Sequence, residues 1–235
     1  MRTVATHWSR CAGGRNFGDV FTPFVFRELA GVDLRWTAPE DARLFGAGSI
    51  IVKIPAGFDG IVFTTGTQRP GRYRLPHATV LAVRGARTAR ALGLGRVPLG
   101  DLGLLAADLA RTTPGTNVGL VPHYADPDLV HRHRCGTVIS ILNDPQHVID
   151  QIGSCDRIIS SSLHALIVAD ALGIPHMFEP HPAVVGGTWK FDDYASAFGF
   201  EQFPIGVWRS TPRDIVVERQ AQLRHLAVEV IDALA

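Results

Sequence analysis

The sequence is short of most features that identify a protein at sight. It has three cysteines in 235 residues. Cys11, Cys135 and Cys155 form an odd set with no Cys-x-x-Cys pair, which argues against a disulfide framework and a zinc knuckle. A reducing, cytoplasmic location is expected. Net charge is nearly absent, since 23 Lys and Arg oppose 22 Asp and Glu. The chain as a whole therefore offers no attraction to nucleic acid, and membrane association would be at most peripheral. No apolar run approaches the roughly 20 residues of a membrane span, and the opening MRTVATHWSRCAGG lacks the apolar segment of a signal peptide.

Familiar catalytic signatures are missing too. Gly46-Ala-Gly48-Ser49 allows close backbone approach to a ligand, but no third glycine follows at dinucleotide-binding spacing, and no Gly-Lys-Ser/Thr follows either. There is no Gly-x-Ser-x-Gly elbow for a serine nucleophile. His131 and His133 have no third ligand at metal spacing. Neither a metal nor a cofactor is expected.

What is present is a folding pattern. With 46% hydrophobic residues and 19% charged, the chain has enough apolar mass for one large core or two small ones. Strand-like runs alternate with helix-like ones, punctuated by Gly, Ser, Asp and Pro, which predicts a parallel α/β sheet. RLFGAGSII, GIVFTTG and ATVLAV read as strands in the first half, with helices in VFTPFVFRELAG and RTARALGLG. After the loop-like RTTPGT, a second series begins with the strands NVGLVPHY, GTVISIL and RIISS and the helices QHVIDQIGSC and LHALIVADALG. In the last helix, Leu223, Leu226, Ala227, Val230, Ile231 and Leu234 mark one apolar face, expected to pack across a sheet. The resulting expectation is an α/β protein of two Rossmann-like parallel-sheet halves, residues 1–115 and 116–235, facing a cleft.

Ligands of such folds sit at the carboxyl ends of the strands. RIISSSLHALIVADALGIP places His164 there, in the first turn of a helix that Ser161 or Ser162 would cap. Free N–H groups and the positive helix end favour an anion beside an imidazole able to exchange a proton. A surface histidine in a βα loop would give the same spacing. Asn16 and Asp19 precede the first helix, where Asp19 serves either as a cap or as a ligand-facing residue. Arg84 ends a strand, whereas Arg87 and Arg90 continue at the spacing of a solvated helix face.

Taken together, NFGD at the N-terminus, the GAGS strand end, the arginine after LAV, SSLHALIVADALGIP and KFDDYASAFG resemble the polysaccharide pyruvyl transferase family, especially its short succinoglycan-type members. The resemblance runs over nearly the whole chain. It implies a GT-B-like architecture and transfer of an enolpyruvyl unit from phosphoenolpyruvate to two sugar hydroxyls, giving a cyclic ketal and phosphate. The acceptor would be a glycan or a lipid-linked oligosaccharide of an exopolysaccharide pathway. By the same resemblance His164 is the acid and base, flanked by Ser161, Ser162 and Leu163. Arg84 and Lys190 match positions that hold phosphate and carboxylate, Asn16 and Asp19 face the cleft, and Asp193 and Tyr194 support Lys190. Ser162 stands where many members have an arginine, a lost anion clamp for which Arg84, Arg87 or Arg157 would have to compensate. Two other readings remain open. One is a GT-B-type glycosyltransferase with Glu179 or Asp192 on a ribose; the other is an inactive member that binds glycan.

Overall fold

The computed structural model describes residues 3–113 and 115–234. Pro114, in the expected linker, lies outside the described residues. The chain forms strands β1 (Thr3–His7), β2 (Asp33–Trp36), β3 (Leu44–Phe45), β4 (Ile61–Thr65) and β5 (Thr79–Val83), then β6 (Asn117–Val121), β7 (Thr137–Val138), β8 (Cys155–Ser160) and β9 (His176–Phe178). Helices are α1 (Phe21–Ala30), α2 (Ala86–Leu92), α3 (Leu129–Arg132), α4 (Pro145–Gly153), α5 (Leu163–Leu172), α6 (Trp189–Ala195) and α7 (Arg213–Ala233). A 3₁₀ helix, Leu102–Asp108, runs between the two series.

Every strand pair is parallel. The first sheet has the order β2-β1-β3-β4-β5 and the second β7-β6-β8-β9. In each, the first strand lies between the second and the third, so the direction of winding reverses once per sheet, at β1/β3 and at β6/β8. These reversals leave crevices at the strands' carboxyl ends. This is the expected pair of Rossmann-like halves.

The helices stop for local reasons. Gly31, Gly93 and Gly173 adopt left-handed φ values of 63°, 68° and 72° at the ends of α1, α2 and α5, a conformation cheap only for glycine. Helix α5 is buried along nearly its whole length, which its apolar sequence requires. One continuous apolar core joins Phe21 and Phe63 of the first half to Leu102 and Leu104 of the 3₁₀ helix and to Ile158 and Leu166 of the second.

Some elements depart from expectation. The expected strand RLFGAGSII is regular only at Leu44–Phe45, with one further parallel bridge from Gly48, at φ 117°, to Thr65. GTVISIL pairs only at Thr137–Val138. Helix α7 does bury Leu223, Leu226 and Val230, but it rests on the 3₁₀ helix and α5. Gln220 fixes that seat, its Nε2 donating to the carbonyls of Leu104 and Ala171 at 3.0 and 3.1 Å.

Candidate functional site

The two winding reversals face one another across a cleft whose space, its open mouth included, is about 620 Å³. Ser9 comes to it from beyond β1, Gly48 and Ser49 from beyond β3, His123 and Tyr124 from beyond β6, and Ser162, Leu163 and His164 from beyond β8. Asn16, Asp19 and Lys190 complete its polar wall. Six of the eight residues expected at a site, Asn16, Asp19, Ser162, Leu163, His164 and Lys190, thus share one cleft.

His164 sits in the first turn of α5 with 13% of its side chain exposed. Its ring stacks near Phe21, centroids 6.4 Å apart and planes 18° from parallel. The Nδ1 side of the ring depends on the NFGD motif, since a Cβ on Gly18 would collide with Nδ1 of His164. Phe17 N–H donates to Ile141 O across the halves at 2.8 Å, pinning the motif against the histidine. Burial lowers the imidazole pKa to about 4; nearby Arg84 and Lys190 lower it as well, while Asp19 opposes them. The imidazole is therefore neutral near pH 7.

The three serines before it divide their roles. Ser160 Oγ donates to Val121 O at 2.6 Å and accepts from Ser162 N–H at 2.8 Å. Ser161 Oγ accepts from His123 N–H at 2.9 Å, tying the ends of β6 and β8 together, and it lies behind the cleft wall. Ser162 is the N-cap residue, yet its side chain makes no capping bond, and it lines the cleft. Asp19 is not a cap either: Val20 is the N-cap of α1, and Asp19 Oδ2 accepts from Cys11 N–H at 2.9 Å.

The cations are placed differently. Lys190, in α6, lines the cleft, and burial first, then Arg84, lowers its pKa to about 8. Arg84 is fully buried and donates to Asp193 Oδ2 at 2.9 Å, Ser49 Oγ at 2.6 Å and Thr67 O at 2.6 Å. It stands behind Ser49 and is not part of the cleft wall. Asp193, expected beside Lys190, instead holds Arg84 and also accepts from Thr88 N–H and Oγ1 at 2.8 and 2.7 Å. Tyr194 donates to Asp170 Oδ2 at 3.0 Å. Arg87 pairs with Asp192 at 3.1 Å, while Arg157 covers the Trp208 ring at 5.5 Å. Among the described residues, no arginine lines the cleft.

Sequence reasoning missed Asp101 and the pair His123 and Tyr124. Asp101 is wholly buried, and its Oδ1 lies 3.9 Å from His164 Nε2. The only local signal is an Asp before a helical turn, since Oδ1 also accepts from Gly103 N–H at 2.9 Å. His123 and Tyr124 lie against each other with centroids 4.2 Å apart and planes tilted by 33°, and Tyr124 is 39% exposed at the cleft. Among the described residues, no three His, Cys, Asp or Glu side chains converge on a point that could hold a metal ion, and no helix is long and apolar enough to cross a membrane.

An uncharacterized protein of Acanthamoeba polyphaga mimivirus is 29% identical over 160 residues, which cover 60% of this chain and 56% of that protein. The chain thus spans little more than half the length of the curated relative it matches. A family model described as polysaccharide pyruvyl transferase matches residues 33–179. That match takes in Arg84, Asp101 and the whole serine and histidine block, and ends before Lys190. It covers more than half of the sequence, and the chain belongs to the polysaccharide pyruvyl transferase family.

Proposed function

We propose that the protein transfers the enolpyruvyl unit of phosphoenolpyruvate to two hydroxyls of one sugar in a glycan, forming a cyclic ketal and releasing phosphate. The observation that carries the reading is the meeting of His164, Lys190 and the start of α5 in one cleft between the two winding reversals. Helix N-termini favour anions, and an ammonium group attracts the same phosphate or carboxylate.

The chemistry assigns each group a task. Donor binding brings negative charge beside a neutral imidazole, which raises its pKa and lets it take up a proton. Protonated His164 then delivers that proton to the donor's C3, leaving an oxocarbenium-like C2 that a sugar hydroxyl attacks. The hydroxyl's proton returns to the imidazole. Cleavage of the C2–O bond expels phosphate, the second hydroxyl closes the ring at C2, and its proton leaves with phosphate or solvent. Lys190 steadies the anionic donor, while Asp19 and Asn16 orient hydroxyls. The exposed face of Tyr124 suits the apolar face of a sugar ring. Arg84 contributes field from behind the wall.

A sugar-nucleotide reading gains nothing from the geometry. Asp192 is held by Arg87 and by Phe203 N–H at 2.9 Å, Glu179 lies 3.8 Å from His133, and neither lines the cleft.

The test is phosphate release from phosphoenolpyruvate over a panel of glycans, with melting temperature followed in parallel. Donor at a hundredfold excess over Kd should stabilise the fold by about 2.7 kcal/mol. His164→Ala should keep that stabilisation and lose on the order of 100- to 10,000-fold in kcat. Stabilisation by sugar nucleotides and not by phosphoenolpyruvate would overturn the proposal.

A further inference from the structure

Beneath the cleft floor, a buried imidazole nitrogen lies beside a buried carboxylate, and each group keeps one atom without a hydrogen bond. Nε2 of His164 and Oδ2 of Asp101 are both sealed from solvent, and neither has a hydrogen-bond partner among the described residues. Asp101 cannot turn away freely, because its Oδ1 caps Gly103 N–H at 2.9 Å. The 3₁₀ helix that follows is pressed onto α5, with no room for a Cβ at Gly103 against Ile167. The carboxylate is therefore fixed through Oδ1, the oxygen that lies 3.9 Å from Nε2, and a small rotation of the imidazole would close that gap into a hydrogen bond.

We infer that Asp101 is the positioning residue of His164: it receives the Nε2–H, fixes the tautomer, and leaves Nδ1 as the nitrogen that exchanges protons with the ligand. Gly18 supplies the other half of the arrangement, since a side chain there would cover Nδ1. An unpaired buried N–H or carboxylate is costly, and this hydrogen bond would relieve both.

A second buried pair in the same molecule shows what the arrangement lacks when it is only structural. His176 Nε2 lies 3.7 Å from Asp170 Oδ1, but His176 is fully buried, and its Nδ1 is engaged by Ile174 O at 3.2 Å. Both nitrogens there face protein. His164 has one nitrogen toward a carboxylate and its ring against a cleft.

The charges around the pair set its response to pH. His164 faces Asp19, Arg84, Lys190 and His123, while Asp101 faces Arg84, Asp193 and Tyr194. Burial pushes the Asp101 carboxyl up to about 6. Above that value Asp101 is an anion whose charge favours the imidazolium, so removing the charge must lower the His164 pKa.

This inference rests on the acid and base role proposed for His164, and the experiment separates the two. Nitrogen-15 NMR of histidine-labelled protein at pH 8, without donor, reads the tautomer directly, with the His164 signal identified by its loss in His164→Gln. The expected state is Nε2–H with a bare Nδ1. An Nδ1–H tautomer would overturn the inference, whether or not phosphate is ever released. Asp101→Asn, which keeps an acceptor for Gly103, is the second arm. It should lower kcat by on the order of tenfold to a hundredfold, leave KM for phosphoenolpyruvate within about twofold, and move the alkaline limb of the rate profile down by about one pH unit. A profile and kcat equal to those of the parent would sink the proposal.

Discussion

Arg84 and Lys190 are two cations of the same neighbourhood, each lowering the pKa of His164, but they live in opposite circumstances. Arg84 has every nitrogen of its fork engaged: by Asp193 from α6, by Ser49 from beyond β3, and by Thr67 O. It joins the two halves of the molecule. Lys190 projects from the same short helix as Asp193 into the cleft, with an aromatic ring as its near neighbour, its Nζ 5.5 Å from the Phe191 centroid. Hydrogen-bond satisfaction separates them more clearly than charge does. A buried cation with all its partners in place serves the architecture, whereas one at the cleft wall without them is the candidate ligand group.

The largest effect should come from breaking the satisfied member. Arg84→Met leaves Asp193 buried with only Thr88 for company, and loss of one partner from a buried pair costs about 3–5 kcal/mol. Equilibrium denaturation in urea should record that loss. Donor affinity measured on the fraction still folded should fall far less than stability does. A stable Arg84→Met protein with a large rise in KM would reverse the comparison and make Arg84 a ligand residue.

Lys190→Met should act with the opposite sign. A lysine whose folded pKa is depressed below its unfolded value carries a cost that is fully present at pH values below about 8. That cost disappears as the pH rises towards the unfolded value of 10.5. At 1.36 kcal/mol per unit, removing it at pH 7 should raise stability by up to about 3 kcal/mol. The same substitution should weaken phosphoenolpyruvate binding by about ten- to a hundredfold, the worth of one charge-assisted contact. Thermal melts at pH 7 and pH 10 check the first part: the variant's advantage must shrink at the higher pH.

The sequence discloses one side of this comparison better than the other. Strand ends are legible because β8 is an apolar run followed by serines and a helix, so His164 and Ser162 could be placed from local pattern alone. The partners of Arg84 could not, since Asp193 lies 109 positions away and nothing near Arg84 signals it. Asp101 was invisible for the same reason: its local appearance is that of a helix cap, and its other neighbour, His164, is reached only through the packing of the 3₁₀ helix on α5. Strands β1, β2 and β9 escaped notice although β1 is as long as β4 and β5, because polar residues such as Asp33 and Arg35 in β2 break the apolar pattern. Buried polar side chains blur them further, as with Thr6 and His7 in β1 and His176 in β9.

Arg87 supplies the smallest and most discriminating effect. Its helical spacing suggests a solvated face, yet only 18% of its side chain is exposed. It pairs with Asp192 at 3.1 Å, donates to Glu201 O at 2.6 Å and lies 4.9 Å over the Trp189 ring. Arg87 therefore repeats in miniature what Arg84 does, fastening α2 to α6 from the outer side. Asp192, 8% exposed, keeps its bond from Phe203 N–H when Arg87 is removed, so the carboxylate retains a donor and some access to water. Arg87→Ala should cost about 1 kcal/mol, set by partial solvent screening and the lost stacking. Because Lys190 shares the short helix α6 with Asp192 and Asp193, which these two arginines hold, the donor KM of Arg87→Ala tests whether the helix holds its lysine rigidly. An unchanged KM means that Arg84 alone seats α6. A rise of tenfold would show that both arginines aim Lys190 and would join architecture to site through this one helix.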